Sequence, residues 1–261
     1  MREIVEYYRR LGETTRLAEG GGRLEFLRTW DVLTRTLPAA PAAVLDVGGA
    51  TGVYAAPLAE AGYAVQVVDP VPEHVAAAGA WPGVRAAVGD ARALDEADGS
   101  YDAVLLLGPL YHLLDRADRV TAWREAGRVV RPGGPVIGAT INRFASMLDG
   151  FLHGSMADPM FVELVDRDLD HGTHLPSPQQ AAYFTTAYFH HPDELPGEVA
   201  DAGLALDRVV GVEGPLWLIE SRLPELLATP ELVLRMLRRV ESEPTLLGAS
   251  SHLLTIARRR G

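Results

Sequence analysis

The sequence predicts a doubly wound α/β fold, an open and mostly parallel sheet with helices on both faces. From residue 43 onwards, short and almost wholly apolar segments alternate with helical patterns, which is typical of strands buried on both sides. Glycine- and proline-rich turns separate these segments. A length of 261 residues with 48% hydrophobic residues is enough for one large core.

Five strands are predicted in the first half of the chain from runs of apolar and β-branched residues that end in turn signals. They span 43–47, 64–68, 84–88, 101–107 and 135–141. Helical patterns lie between most of them, and the helix at 115–130 ends before the Pro-Gly-Gly turn at 132–134. The rhythm resumes late in the chain with a strand at 204–212 and a last strand at 253–257.

Three segments are predicted outside this alternation. Residues 1–38 form an N-terminal helical cap, with leucines at helical spacing and a flexible joint at the glycines 20–22. In the main domain, 39–261, the alternation lapses at 142–190, which we interpret as an inserted lid. A helical segment is expected at 213–250.

Charge and composition exclude several classes of function. A net charge of -11 disfavours a nucleic-acid surface and anionic membranes, since both require clustered Lys and Arg. The absence of cysteine excludes disulfides and thiolate chemistry. No stretch has the length and apolarity of a signal peptide or a membrane span. We therefore expect a soluble, cytoplasmic protein.

The turn after the first strand carries the strongest chemical signal. Its glycines, Gly48 and Gly49 among them, let the backbone approach a ligand closely at the carboxyl edge of the sheet. The dinucleotide pattern G-x-G-x-x-G fails here, because Ala50 and Val53 stand where glycines are needed. The acid Asp46 inside the turn region suits a cationic ligand better than a pyrophosphate.

A second acid, Asp69, ends the next strand at the spacing expected for a carboxylate that binds ribose hydroxyls. No Gly-Lys-Ser/Thr follows the glycine turn, which excludes a phosphate-binding P-loop. These residues alone are compatible with several nucleotide cofactors. An NAD(P) oxidoreductase is disfavoured, because the dinucleotide pattern is not met at Ala50 and Val53.

Four further segments follow this turn in order, and together they resemble the motifs of class I S-adenosylmethionine (SAM)-dependent methyltransferases. The five matching segments are 44–52 (VLDVGGATG), Asp69, 89–91 (GDA), 101–113 (YDAVLLLGPLYHL) and 131–134 (RPGG). The resemblance implies a Rossmann-like sheet of seven strands whose last strand is antiparallel. It also implies SAM as the cofactor and methyl transfer to an O or N atom of a small molecule, such as those of secondary metabolism.

The resemblance assigns cofactor contacts residue by residue. The expected set comprises Asp46, Gly48, Gly49, Ala50, Asp69, Pro70, Asp90, Ala91 and Leu107. In the cap, Tyr7, Tyr8 and Arg28 resemble residues that fold over the cofactor. Arg28 is suited to grip the methionine carboxylate bidentately, the alternative being a surface arginine on an amphipathic helix.

Candidates for the acceptor side are aromatic residues and histidines. His112, just after the fourth strand, and His191, after the lid, are the candidate bases, because imidazole titrates near neutral pH. His112 alternatively only packs at the start of a helix. The acceptor pocket is expected to involve Tyr111, Phe144, Phe184 and His190, although aromatic residues are more often core than site.

Two alternatives remain open on the sequence. The acids and histidines at 166–174 are dense enough to bind a divalent ion, but alternate acids at the end of a polar helix usually form a solvated face, so no metal is expected. A SAM-binding protein that catalyses other chemistry, or that regulates, would carry the same cofactor motifs. The acceptor and the oligomeric state stay undetermined.

Overall fold

The computed structural model describes residue 17 and residues 20–180 and 182–261, and the chain divides into two compact units. The sheet unit comprises Val32–Ala139, Leu195–Arg208 and Thr255–Gly261. The insert unit comprises the described residues up to Asp31, together with Thr140–Glu194 and Val209–Leu254.

Strands and helices are numbered in chain order. The strands are β1 Ala43–Val47, β2 Ala64–Asp69, β3 Val84–Val88, β4 Ala103–Leu106, β5 Pro135–Asn142, β6 Thr173–His174, β7 Ala187–His190, β8 Leu204–Gly211 and β9 His252–Arg259. The α-helices are α1 Gly20–Thr36, α2 Ala55–Glu60, α3 Pro72–Ala78, α4 Arg116–Val129, α5 Ala145–His153, α6 Pro159–His171, α7 Leu195–Asp201, α8 Leu223–Leu226, α9 Pro230–Arg238 and α10 Pro244–Leu247. Single 3₁₀ turns and a longer 3₁₀ helix, Gly214–Arg222, lie between them.

The sheet unit has the strand order β3-β2-β1-β4-β5, and each neighbouring pair is parallel. The chain runs outward from β1 to β3 and then returns to the other side of β1. The strand order therefore reverses between β1 and β4, and ligands of open α/β sheets bind at such a reversal. The predicted doubly wound fold is confirmed.

Apolar packing explains why these segments form a sheet. Four of the five residues of β1 and all of β4 are buried, as expected for strands covered on both faces. Trp123 of α4 is fully buried against β5, where a side chain at Gly138 would come within 2.5 Å of its ring. Burying a tryptophan of this size contributes roughly 3 kcal/mol, and glycine is the residue that leaves room for it.

The last strand, β9, pairs with β5 and β8. Arg259 at its end donates a backbone hydrogen bond to Gly134 just before β5. Asn142 at the end of β5 donates to Ser251 just before β9. This register makes β9 antiparallel to β5 and confirms the orientation predicted for the last strand.

The insert unit adds two short strands to the seven that were predicted. β7 pairs in parallel with the end of β5, with Ile141 opposite Phe189, and β6 pairs antiparallel with β7. Both strands come from 142–190, the predicted lid, and most of its other described residues form α5, α6 and turns. That this segment acts as a lid stays a prediction.

One expectation for the cap is wrong. The glycines at 20–22, predicted as a flexible joint, are the first residues of α1. Glycine costs only about 1 kcal/mol relative to alanine in a helix, and the apolar face that follows, with Leu24 and Leu33 fully buried, outweighs that cost. Tyr7 and Tyr8 lie outside the described residues. Among the described residues, no helix combines the length and apolarity needed to cross a membrane.

Candidate active site

The turn after β1 is shaped by glycines that cannot be replaced without strain. Gly48 has φ +71°, and a side chain there would approach Pro109 Cδ to 2.7 Å. A side chain at Gly49 would lie 2.5 Å from Asp46 Oδ2. Ala50 also has a positive φ, 47°. The turn is therefore a shallow cradle of bare backbone directly above the Asp46 carboxylate.

Asp46 itself is a buried acid whose charge has no partner in the described part of the chain. Its side chain is 1% exposed, and neither carboxylate oxygen has a hydrogen-bond partner there. Burial, and then the charge of Asp69, raises the pKa of Asp46 from 3.8 to about 7. A buried acceptor left unsatisfied is costly, so a cationic or hydrogen-bond-donating ligand is favoured at this position.

Asp69, at the end of β2, is held beside the same turn. Its Oδ2 accepts a hydrogen bond from Ala50 N at 3.0 Å, and its Oδ1 accepts one from Val71 N at 2.9 Å. His74 Nδ1 lies 3.2 Å from Oδ1. A carboxylate has about four acceptor sites, so these contacts orient the group and leave capacity for a ligand hydroxyl. Sequence reasoning missed His74, which gives no signal beyond its position on α3.

The ends of β1 and β4 meet closely at the strand-order reversal. A side chain at Gly108 would lie 2.5 Å from the carbonyl oxygen of Gly48, so the two turns touch through backbone alone. Leu107 directly precedes this contact. The structure thus brings together Asp46, Gly48, Gly49, Ala50, Asp69 and Leu107, six of the residues that the resemblance assigned to the cofactor.

The residues predicted near the second and third strands have other surroundings. Asp90 is ion-paired with Arg92, whose side-chain hydrogen bond holds the pKa of Asp90 below its ordinary value. Ala91 packs in the hydrophobic core, and Pro70 is exposed. Their roles toward a cofactor stay predictions.

His112 and Tyr111 form a 3₁₀ turn with Leu110 directly after the β4 turn. Both side chains are half-buried, and their rings meet edge to face with centroids 4.6 Å apart. This placement, three and four residues beyond Gly108, keeps both candidates on the sheet unit at the edge that carries the glycine turns. The general-base role of His112 stays a prediction.

Arg28 of α1 has an environment that the sequence did not predict. Its guanidinium is fully buried; Nε donates to Val212 O at 3.0 Å, and Nη1 and Nη2 donate to Asp31 and Glu241 at 2.7 and 2.9 Å. Arg238 also pairs with Asp31. Three of its five N–H donors are thus engaged within the insert unit, so the structure favours a role in holding that unit together.

The aromatic candidates of the insert unit fall into two groups. Phe144 contacts His191 edge to face with ring centroids 5.7 Å apart, and the His191 side chain is 43% exposed. His190 is fully buried and packs edge-on against Tyr188. Phe184 lies 6.1 Å from His174 instead. The two histidines therefore differ in access, and His191 is the exposed one.

Sequence reasoning missed a buried pair within 166–174, the segment that was weighed as a metal site. His174 Nδ1 lies 2.9 Å from Asp168 Oδ2, and both side chains are almost fully buried. The acids on either side, Asp166 and Asp170, are exposed. Within the described ranges, three potential metal ligands converge elsewhere, where atoms of Glu25, Glu213 and His252 lie within 4.8 Å of one another.

Comparisons with known proteins agree with this geometry. Residues 44–134 match the model of a methyltransferase domain. An uncharacterized methyltransferase of Mycobacterium tuberculosis is 40% identical over 99 residues, which span 38% of this chain and 39% of that protein. A ubiquinone biosynthesis O-methyltransferase of Xylella fastidiosa is 30% identical over 203 residues, 75% of this chain and 74% of that protein.

A solved structure shows the same fold. It is the complex between the Haloferax volcanii Trm112 methyltransferase activator and a putative methyltransferase, with a TM-score of 0.64 at 17% identity over 99% of this chain and 98% of that chain. The chain belongs to the class I SAM-dependent methyltransferase family, as its motifs predicted. Its cofactor is S-adenosylmethionine, a cation that fits the unpartnered Asp46 carboxylate and the bare cradle of Gly48 and Gly49.

Proposed function

We propose that this protein transfers a methyl group from S-adenosylmethionine to an oxygen atom of a small-molecule acceptor. The observation that carries the donor half is Asp46, a buried acid without a hydrogen-bond partner among the described residues, beneath a turn of bare backbone. When bound, S-adenosylmethionine supplies an electrophilic methyl group on a positively charged sulfur.

The residues around the turn have separate tasks in this proposal. Asp46 offers negative charge to the cationic cofactor, and the backbone at Gly48 and Gly49 permits its close approach. Asp69, held by Ala50 N and Val71 N, is oriented to accept hydrogen bonds from ribose hydroxyls. Such positioning provides much of the rate of a methyl transfer, since two reactants are brought into line.

Three observations support a small, partly apolar acceptor that is methylated on oxygen. The relative from Xylella fastidiosa is named an O-methyltransferase, and its similarity covers three quarters of this chain. The net charge of -11 disfavours a polyanionic acceptor such as RNA or DNA. Aromatic side chains in the insert unit, Phe144 and Phe184 among them, favour a partly apolar acceptor.

The test combines cofactor binding with product analysis. Purified protein is titrated with S-adenosylmethionine by calorimetry and then incubated with it and a panel of hydroxyl and amine compounds. We expect S-adenosylhomocysteine and a product that carries one added methyl group on oxygen, both detected by mass spectrometry. Asp46→Asn should weaken cofactor binding at least tenfold at pH 8. A product methylated only on nitrogen would show that the acceptor atom is nitrogen and not oxygen.

Tight cofactor binding without any methylated product would overturn the proposal. A rearranged or cyclised acceptor of unchanged mass would then establish the alternative, other chemistry on the same cofactor site. The matched control is Asp95→Asn, because Asp95 is an exposed acid of the same unit outside the glycine turn.

A further inference from the structure

Two glutamates and a histidine of the insert unit meet at one point, and no step of the proposed methyl transfer uses them. Glu25 lies on α1, Glu213 lies two residues after β8, and His252 is the first residue of β9. One potential ligand atom from each side chain lies within 4.8 Å of the other two. The three side chains are therefore close enough to contact a single ion.

The cluster is largely shielded from water. The side chain of Glu213 is 3% exposed, that of Glu25 is 14% exposed and that of His252 is 25% exposed. Carboxylates on an open surface are screened by water and salt, whereas charges that are partly withdrawn from water attract a cation more strongly. The exposed part of the imidazole gives an ion a route into the cluster.

Both carboxylates face the same ring nitrogen of the histidine. His252 Nδ1 lies 2.6 Å from Glu213 Oε1 and 3.9 Å from Glu25 Oε2. A proton on Nδ1 makes one short hydrogen bond, here to Glu213. A divalent cation in place of that proton would contact the nitrogen and both carboxylates, at about 2.0–2.2 Å each. Adjacent ligand atoms at such bond lengths are about 3 Å apart, so the observed separations need only a modest adjustment.

A second histidine of the same unit has two acidic neighbours in the opposite arrangement. His153 Nδ1 lies 3.1 Å from Asp149, and its Nε2 lies 3.0 Å from Glu220. The two carboxylates therefore lie on opposite sides of the ring, where each accepts from its own N–H of a protonated imidazole. One ion cannot contact both carboxylates and a ring nitrogen in that geometry. The two clusters share a composition but only the one at His252 has the geometry of a metal site.

Neighbouring groups hold the ligands in place. Glu213 Oε2 accepts hydrogen bonds from Ser250 Oγ at 2.9 Å and from His252 N at 3.0 Å, which leaves Oε1 to face Nδ1. On α1, Arg28 donates from Nε to Val212 O at 3.0 Å, which connects this helix to the residue before Glu213. Such bonds raise the affinity for a metal, because the ligands are already oriented when the ion arrives.

We propose that Glu25, Glu213 and His252 bind a divalent transition-metal ion, with Zn²⁺ as the best fit, and that the ion links α1 to the chain around β8 and β9. Imidazole nitrogen favours Zn²⁺ over Mg²⁺ and Ca²⁺, which prefer oxygen ligands alone. Two ionised carboxylates and a neutral imidazole together balance the charge of a divalent ion. Three protein ligands and a water molecule complete a four-coordinate zinc site.

The role of the ion is structural. Its ligands come from parts of the insert unit that are far apart in the chain, so a bound ion holds α1 against the segments that carry Glu213 and His252. An ion that binds the folded chain stabilises it by mass action. This role does not depend on methyl transfer, and each test below is read without an acceptor.

The first experiment measures zinc binding to the intact protein. The full chain is stripped of metal with EDTA, dialysed and titrated with zinc chloride at pH 7.5 by calorimetry. We expect one ion per chain with a Kd below about 10 µM, and a melting temperature raised by about 5–10 °C at about 100 times the Kd. Weaker binding, no saturable binding, or displacement of zinc by millimolar Mg²⁺ or Ca²⁺ would overturn the proposal.

The second experiment locates the ion with variants. Glu213→Gln and Glu25→Gln should each lower the affinity for zinc about 100-fold or more and remove the zinc-dependent rise in melting temperature, because each loses a charged ligand. His153→Gln is the matched control and should bind zinc as wild type does, since its two carboxylates lie at opposite ring nitrogens. Should Glu213→Gln not fold, the less buried Glu25→Gln decides.

Two outcomes would place the ion elsewhere and refute the site. One is unchanged affinity in both glutamate variants, and the other is loss of binding in His153→Gln. X-ray absorption at the zinc edge gives an independent readout, with nitrogen and oxygen neighbours at about 2.0–2.1 Å and a single imidazole. The sequence has eight histidines, so a spectrum with two or more imidazoles would also refute a site that contains one.

Discussion

Asp46 and Asp69 lie on neighbouring parallel strands, and the charge of Asp69 adds to burial in raising the pKa of Asp46 to about 7. The two acids differ in their surroundings: Asp69 accepts hydrogen bonds from the backbone of Ala50 and Val71, whereas Asp46 has none within the described residues. Asp69 on β2 is thus a carboxylate held by backbone donors, and Asp46 on β1 is a carboxyl group whose pKa lies near neutral pH. A cationic ligand beside Asp46 favours the charged form of its carboxyl group.

Asp46→Asn should change how stability depends on pH in the ligand-free protein. Between about pH 4 and 7 folded Asp46 holds a proton that the unfolded chain has lost, so stability falls as pH rises, and the full penalty applies above pH 7. A shift from 3.8 to about 7 corresponds to about 4 kcal/mol at most. Asparagine does not titrate, so the variant should gain stability relative to wild type from pH 4 to pH 8.

Urea unfolding at pH 4, 6 and 8 measures this difference. A constant gap between variant and wild type over that range would show that Asp46 does not titrate there.

Gly48→Ala should cost more than Gly133→Ala, although both glycines have nearly the same backbone conformation. Gly48 has φ +71° and Gly133 φ +76°, but a side chain at Gly48 meets Pro109 at 2.7 Å while one at Gly133 meets no described atom within 4 Å. Gly133→Ala should therefore lower stability only by the conformational cost of a positive φ, about 1 kcal/mol. Gly48→Ala should lower it further, because the backbone must also shift to relieve the clash. Thermal unfolding and calorimetric titration with S-adenosylhomocysteine compare them, and equal losses in both would contradict the close contact of the two turns.

Arg28→Ala should destabilise the protein by about 3–5 kcal/mol, because it removes the buried cation that pairs with both Asp31 and Glu241, although Asp31 keeps its contact with Arg238. Arg23→Ala, an exposed arginine on the same helix, should change stability by less than about 0.5 kcal/mol. Chemical denaturation measures both. A variant that keeps its stability but loses affinity for S-adenosylmethionine would instead support the sequence-based role of Arg28 as a cofactor ligand.

His153 should make the insert unit more stable at acidic than at alkaline pH. Its Nδ1 and Nε2 lie 3.1 and 3.0 Å from Asp149 and Glu220, and the hydrogen bond to Glu220 is the main cause that raises the pKa of His153. A raised pKa gives stability that is fully present below the pKa of the unfolded chain and is lost as pH rises through the folded value.

The melting temperature of wild type should therefore exceed that of His153→Gln more at pH 5.5 than at pH 9. Glu220→Gln should reduce that difference, and a gap independent of pH would exclude the ion pair as its source. The group is half-exposed, so the effect is expected to weaken in high salt.

The sequence by itself determined the sheet, the parallel orientation of its first five strands and the glycine-rich turn after β1. Apolar runs, their periodicity and the residues of tight turns act over a few neighbouring positions, so they can be read without knowing the fold. The same local logic identified Asp46, Gly48, Gly49 and Asp69. It failed at the glycines 20–22, where burial of the following helix face outweighs the preference of glycine for a joint.

Only the tertiary structure decided which polar side chains meet. Arg28 and Glu241 are 213 positions apart in the chain, and Ser146 and Asp168 are 22 apart. Neither pair has a motif, because the partners are chosen by packing between elements rather than by spacing along one. The same holds for His174, whose Nδ1 lies 2.9 Å from the buried carboxylate of Asp168.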